Sequence, residues 1–261
     1  MKIYGVFTDV HSNIAALDAL LDHFNDRGVT DFICCGDIIG IGPRPEECAR
    51  RLMSLDNLIC VAGNHEGYLA DGTLPPRFMD ESEKPHHPWQ HLQLTDETKE
   101  WLCSLPGQIP FDCEGMQVAV RHYPAPSENF VSNFPDVTKN HFADFPRPPR
   151  ISDAATMGAM FRESGIFGDV ILYGHDHPAN VTYKKGTLCI NPGALGCPHA
   201  GLRGALGGIL TVSEYGAAFE PVEIPYDIEA VMDDIICLNV PDLDRVLNIF
   251  YGRNSKRETE R

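Results

Sequence analysis

Three short apolar runs, Lys2 to Thr8, Thr30 to Cys35 and Asn57 to Ala62, alternate with segments of helical spacing, and each run gives way to polar residues. Runs this short and this rich in Ile, Val and Cys read as buried strands. After the first, Ile14, Leu17, Leu20, Leu21 and Phe24 recur at helical spacing, with Ser12 or Asn13 as the cap and Gly28 at the end. After the second, Pro43 and Pro45 open a helix through Cys48, Leu52 and Met53. Strand, helix and strand in succession with right-handed crossovers make parallel neighbours whose carboxyl ends share one edge. In open α/β sheets, ligands and catalytic groups gather at that edge.

The residues delivered there are Asp9-Val10-His11, Gly36-Asp37 and Gly63-Asn64-His65-Glu66. In extended chain, residues i and i+2 share a face, so Asp9 and His11 can reach one ion together. Two later strands end in the same way. Met116 to Val120, the second arm of a hairpin with Gln108 to Cys113, runs into Arg121-His122-Tyr123, and Asp169 to Tyr173 runs into Gly174-His175-Asp176-His177. A short helix through Glu97 to Cys103 precedes the first of these, and one through Ala154 to Phe161 precedes the second. Hairpin arms Val181 to Lys184 and Leu188 to Ile190, then strands Gly207 to Val212 and Ala217 to Val222, complete the β-structure. Helices over 228–238 and 243–251 carry no candidate chemistry.

The expected organisation is a single domain over 1–252, with irregular insertions at about 66–94 and 124–150, a helical extension over 224–252 and a disordered charged tail at 253–261. His86, His87 and His91 fall in the first insertion, whose prolines argue against one helical face, and they receive no role. Tyr68, Phe78, Trp89, Phe130 and Phe134 read as packing beneath the insertions in preference to base stacking.

A net charge of −16 argues against polymeric nucleic acid and anionic membranes as partners. It leaves phosphate substrates open, because bound cations reverse the field of a site lined by Asp and His. No stretch reaches the roughly 18 apolar residues that span a bilayer, and the expectation is a cytoplasmic protein. The nine cysteines, several inside apolar strands, read as reduced core residues.

Collected, Asp9, His11, Asp37, Asn64, His122, His175 and His177 offer too many oxygen and nitrogen donors for one catalytic ion. They suit two ions sharing a bridging carboxylate, and the mixed hardness without thiolate selects divalent Mn, Fe, Co, Ni or Zn over Mg or Ca.

In their order and spacing, Asp9-Val10-His11, Gly36-Asp37-Ile38-Ile39, Gly63-Asn64-His65-Glu66, His122 and Gly174-His175-Asp176-His177 resemble the motifs of the calcineurin-like metallophosphoesterase superfamily, over roughly residues 1 to 222. The resemblance implies an α/β fold, a four-layer α-β-β-α sandwich of two mixed sheets flanked by helices. It implies one metal on Asp9, His11, Asp37 and His177, and a second on Asp37, Asn64, His122 and His175, with Asp37 as the bridge. It further implies that a metal-bridging hydroxide attacks phosphorus while His65 contacts the phosphate and protonates the leaving oxygen, with Glu66 orienting the imidazole. Asn64, His65 and Arg203 are the expected substrate contacts; Arg77, Arg121, Arg147 and Arg150 are surface charges by default.

Asn191-Pro192-Gly193 and the pair Tyr226-Asp227 are similar to segments of the small bacterial and archaeal branch that includes diadenosine-tetraphosphate hydrolase-like proteins. The implied substrate is a small phosphodiester or a nucleotide-type phosphoanhydride, with a phosphomonoester as the alternative; an oligomer is compatible with either. Ser12 stands where glycine is usual after D-x-H, Asp176 where threonine is common, and Tyr123 where glycine is frequent after the lone histidine. Protein phosphatases carry Asp-Arg-Gly after G-D, whereas this chain has Gly40-Ile41-Gly42-Pro43, which ranks phosphoproteins low. The same fold also serves as the retromer scaffold subunit, which lacks the acid histidine; retention of His65 with all seven ligands favours an enzyme over an idle scaffold.

Overall fold

Val6 and Phe7 point to opposite faces of the first strand, and both are fully buried, so this strand has protein on both sides. It is β1 (Lys2–Phe7) in a computed structural model that describes residues 1–72, 81, 84–123, 161–162, 165–184, 186–197 and 203–252. The chain continues as α1 (Ile14–Asp26), β2 (Phe32–Cys34), α2 (Pro45–Met53), β3 (Leu58–Cys60), α3 (Asn64–Ala70), α4 (His86–Gln93), α5 (Asp96–Ser104), β4 (Gln108–Cys113) and β5 (Met116–Arg121). Then come β6 (Val170–Leu172), β7 (Asn180–Lys184), β8 (Thr187–Asn191), β9 (Gly204–Ser213), β10 (Gly216–Pro225), α6 (Ile228–Cys237), α7 (Leu243–Arg245) and a wider π-helical turn, Val246–Phe250.

Two mixed five-stranded sheets result, flanked by helices as expected: β10-β9-β1-β2-β3 and β4-β5-β6-β8-β7. β1, β2 and β3 run parallel, with Val6 opposite Ile33 and Ile33 opposite Ile59. In the second sheet β5, β6 and β8 run parallel, with Val120 opposite Leu172 and Leu172 opposite Ile190. Val6, Ile33, Val61, Val120, Leu172 and Ile190 fill the space between the sheets. Phe7, Leu17, Leu20, Phe24 and Cys34 form the layer under α1. Fully burying such a side chain contributes about 1.5–3 kcal/mol, so this packing fixes the spacing of the two sheets and of the strand ends they present.

The caps of α1 are those the sequence indicates. Asn13 Oδ1 accepts the Ala16 N–H at the start of α1, and Gly28, at φ +71°, follows its end. Asp227 does the same for α6 through the Ala230 N–H. All nine cysteines are free thiols, and seven are buried.

Three elements differ from expectation. Asn64 and His65 do not lie in a loop but form the first turn of α3, because Glu66 accepts the Gly63 N–H at 2.7 Å and starts a helix there. His86, His87 and His91 lie on a helix after all: Pro88 falls in the first turn of α4, where a missing N–H is tolerated. The helix expected over 243–251 is one turn that widens, and the widening lets Leu247 bury while the Tyr251 hydroxyl donates to the Gly196 carbonyl at 3.1 Å. The expected insertion at 124–150, the helix starting at Ala154, the tail at 253–261, and Arg77, Phe78, Phe130, Phe134, Arg147 and Arg150 lie outside the described residues.

Candidate metal centre

Beyond their last sheet pairs, the first two strands stay together as loops. The N–H groups of Asp9, His11 and Ser12 donate to the carbonyls of Gly36, Asp37 and Ile38, at 2.9, 3.0 and 2.9 Å. The loop after β8 joins them through Leu195 to Thr8 and Gly196 to Asp9. To make these turns Asp9, His11, Ser12, Asp37 and His175 adopt left-handed backbone, with φ of +52°, +46°, +56°, +53° and +73°. Non-glycine residues rarely do so, at about 1–3 kcal/mol each, and such strain concentrates at functional sites. Ser12 at +56° also explains the glycine preference at that place. Gly63 is required for space: a Cβ there would run into the Asp37 carboxylate.

The loops bring all seven expected ligands together. Asp9 Oδ2 accepts the Thr8 hydroxyl at 2.7 Å and the His175 N–H at 2.9 Å, which ties the first sheet to the second. Its other oxygen, Oδ1, is buried without a hydrogen-bond partner among the described residues and faces His11 Nε2 at 3.6 Å and His177 Nε2 at 3.8 Å. Those two nitrogens are 3.1 Å apart. On the other side of Asp37, His122 Nε2, His175 Nδ1 and Asn64 Oδ1 converge at 2.6 to 3.2 Å from one another. Asp37 Oδ2 sits between the groups, 3.1 Å from His122 Nε2 and 4.0 Å from His11 Nε2. Asp9, His11 and His177 form one cluster of metal-holding geometry, and Asp37, His122 and His175 form another.

An orphaned buried carboxylate oxygen aimed at two imidazole nitrogens is left in want of a cation, since buried polar atoms otherwise find partners. The outer contacts agree. His11 Nδ1 lies 3.2 Å from the Ile39 carbonyl and His122 Nδ1 2.8 Å from that of Cys35, so both nitrogens are placed to donate and leave Nε2 as a lone-pair donor. The residues therefore fit divalent metal ions.

Charge is arranged to match. Burial opposes ionisation of Asp37, but His122 and His65 beside it hold its carboxyl well below the usual range. Burial likewise opposes ionisation of Asp9, and His11, His122 and His177 hold it low. Burial would discharge His122, yet Asp37 pushes it up to about 10. Against the same opposition, Asp9 and Asp37 raise His11. Burial, followed by the neighbouring His122, keeps His175 neutral, with a pKa of about 3.

His65 is placed differently from the ligands. Its N–H donates to Asp37 Oδ1 at 2.9 Å, its ring lies 5.1 Å from that of His11 and 5.5 Å from that of Tyr68, and it forms a third cluster with His11 and Asp37. Burial holds it as the free base, with a pKa of about 3, against the pull of Asp37.

Glu66 does not orient that imidazole. Oε1 accepts the N–H groups of Ile38 and Ile39 at 2.9 and 3.2 Å, and Oε2 those of Asp37 and Gly63 at 2.9 and 2.7 Å. Both oxygens are committed to backbone because Glu66 is the third residue of α3 and points back past Gly63 into the Asp37 loop. Burial and Asp37 push this carboxyl up to about 7, while the N–H groups of Gly63 and Ile39 pull it down. Arg203 lies apart from the clusters, its exposed guanidinium paired with Glu229 at 2.9 Å. Arg121 donates to the Tyr123 carbonyl at 2.9 Å.

Two participants are absent from the sequence reading. Gln90, buried on α4, accepts from Ser12 Oγ and Gly40 N–H at 3.4 Å each and donates to the Gly42 carbonyl at 3.1 Å, which pins the first insertion onto both ligand loops. Beneath it His65, His86, His87 and His91 border a cavity of about 30 Å³. Phe250 packs against His177 with ring centroids 5.8 Å apart. A polar glutamine in a proline- and histidine-rich segment carried no signal for the first, and a lone aromatic in the last helix carried none for the second.

A family model described as the calcineurin-like phosphoesterase superfamily domain matches residues 1–214. An uncharacterised protein of Methanocaldococcus jannaschii is 28% identical over 258 residues, covering 92% of this chain and 95% of its own length. The crystal structure of a metallophosphoesterase from Sphaerobacter thermophilus is similar with a TM-score of 0.64 at 25% identity, over 94% of this chain and 98% of that one. That of a hypothetical protein from Pyrococcus horikoshii is similar in fold, with a TM-score of 0.74 at 18% identity over 94% and 98%.

Proposed function

The chain belongs to the calcineurin-like phosphoesterase superfamily and is a metal-dependent phosphoesterase, and from that premise we propose that it hydrolyses a small phosphodiester or a nucleotide-type phosphoanhydride on two divalent cations. Asp9, His11, Asp37 and His177 would hold one ion, and Asp37, Asn64, His122 and His175 the other. The observation that carries the reading is Asp37 Oδ2 between the two clusters, with Asp9 Oδ1 unpartnered beside it. Such a pair of ions lowers the pKa of a water between them, holds two phosphoryl oxygens and offsets the charge of an in-line transition state.

The rest falls to the chain itself. Asn64, at the amino terminus of α3, turns its amide toward the second cluster and can steady a phosphoryl oxygen. The His65 free base must first take up a proton, and an anionic phosphate drawn against it favours that uptake. His65 then donates the proton to the departing oxygen. The preference for a diester over a monoester rests on charge. Arg203, the guanidinium expected on phosphate, is engaged with Glu229, and a singly charged diester needs fewer cations than a dianionic monoester.

Protein stripped of metal and reloaded with Mn should turn over bis-p-nitrophenyl phosphate or diadenosine tetraphosphate faster than p-nitrophenyl phosphate. A preference for the last would assign a phosphomonoesterase instead. Asp37→Asn should weaken both ions together; metal content equal to wild type by elemental analysis would remove Asp37 from the bridging position.

Metal uptake at pH 7 should also release about one proton or more, because His122 is protonated until an ion takes its Nε2. Calorimetry in buffers of different ionisation enthalpy reads that number directly. Zero release would show that His122 is already neutral before the ion binds, and affinity should rise with pH.

A further inference from the structure

The matched family region ends at residue 214, yet the segment beyond it is fastened to the metal centre. Ile228, Val231, Ile235, Val246, Leu247 and Tyr251 bury together as one apolar cluster, with Ala15 of α1 and Ile41 of the Asp37 loop packed against it. Arg44, at the head of α2, donates two hydrogen bonds to the Asp234 carboxylate on α6, at 2.5 and 2.6 Å. Asn13, two residues from His11, donates to the Tyr226 hydroxyl at 3.2 Å and to the Gly196 carbonyl at 2.9 Å, and Tyr251 donates to that same carbonyl at 3.1 Å. Anchored in this way, the π-helical turn Val246–Phe250 ends with the Phe250 ring against the imidazole of His177, centroids 5.8 Å apart and planes at 45°. Wide turns of this type are frequent at functional positions.

His177 needs such a support. Within its cluster His11 is 1% exposed and Asp9 is fully buried, whereas the His177 side chain is 16% exposed. Its loop turns at the strained His175. A partly exposed imidazole keeps more rotational freedom than a fully buried one, and packing against it removes part of what binding an ion would otherwise cost.

We propose that Phe250 is a positioning residue of the metal centre: its ring holds His177 in the ligating rotamer, and the carboxyl-terminal segment over 226–251 is the buttress that carries it. This rests on the reading of His177 as a ligand. Phe250 touches neither phosphate nor ion; it lowers the entropy lost when His177 closes on the ion it shares with Asp9 and His11.

The test is Mn titration of metal-free Phe250→Ala and Phe250→Leu, followed by calorimetry, with the metal-free melting midpoint measured beside it. Phe250→Ala should weaken one of two bound Mn ions by about tenfold and leave the other within about twofold, the range seen for residues that orient ligands. Phe250→Leu, which keeps apolar volume without the flat ring, preserves folding if the alanine variant does not, and should weaken the same ion by about threefold. A general loss of stability would weaken both ions alike, so selectivity for one is the diagnostic reading. Wild-type affinity for both ions in a folded variant overturns the proposal, as does equal weakening of both. His177→Ala separates the premise from the inference: it should lose the ion that Phe250→Ala weakens, and if it keeps both ions at wild-type affinity, the assignment of His177 as a ligand fails and the buttress with it.

Discussion

Glu66→Ala should lower the stability of the protein by about 4 kcal/mol or more, although Glu66 is neither at the surface nor in a hydrophobic cluster. Its carboxylate accepts four backbone N–H groups, from Asp37, Ile38, Ile39 and Gly63. Removing it strands those donors where water is scarce, at about 1–3 kcal/mol for each that stays unpaired. For a chain of this size 4 kcal/mol corresponds to a fall in melting midpoint of about 8–16 °C. Glu66→Gln is the sharper variant. It keeps the shape but replaces one acceptor oxygen by an amide nitrogen that must face two N–H donors, so it too should lose several degrees. Were Glu66 there to orient the His65 ring, the glutamine variant would keep its midpoint and lose only turnover. A midpoint within about 2 °C of wild type in both variants would show that the Asp37 loop holds its shape without this carboxylate.

His65→Ala should do the reverse, leaving stability and metal content near wild type while turnover falls by about 10²–10⁴-fold, the range for loss of a general acid. The distinction matters because His65 stands within ligand distance of His11 and Asp37. If the alanine variant loses a metal ion, His65 is a ligand and another group protonates the leaving oxygen. If it keeps both ions and wild-type turnover, His65 has no part in proton transfer. A substrate whose leaving group is already a weak base, such as p-nitrophenolate, needs the least protonation and should suffer least; diadenosine tetraphosphate should suffer more.

The clustering of the seven proposed ligands was legible because each follows a strand end, and strand ends are marked by an apolar run that stops. The sheets were legible for the same reason: β1, β2 and β3 alternate with helices whose caps, Asn13 and Gly28, carry their own chemistry. Glu66 was misread in role because its position beside His65 invited a functional pairing, although a glutamate three residues after a glycine that follows a strand also fits the reciprocal cap of a helix start. Burial of both oxygens on the neighbouring loop depends on how closely β2 and β3 run, which periodicity does not encode. His86, His87 and His91 were read as loop because Pro88 was counted as a breaker, whereas in a first turn proline breaks nothing. Phe250 lay beyond reach, since its contact with His177 joins positions far apart in the chain through the packing of a whole segment.

Asp9 and His175 meet across 166 positions of sequence, as do His11 and His177. Contacts of such range form late, after the loop-closure entropy of about two thirds of the chain has been overcome. During synthesis the ribosome therefore releases Asp9, His11, Asp37 and Asn64 long before their histidine partners on the second sheet exist. The nascent chain then offers three of the four groups proposed for one ion and two of the four proposed for the other, and neither set closes until both sheets have docked. Metal acquisition by the proposed centre is thereby deferred to the finished fold, which sets the competition among available cations at the end of folding instead of at its start.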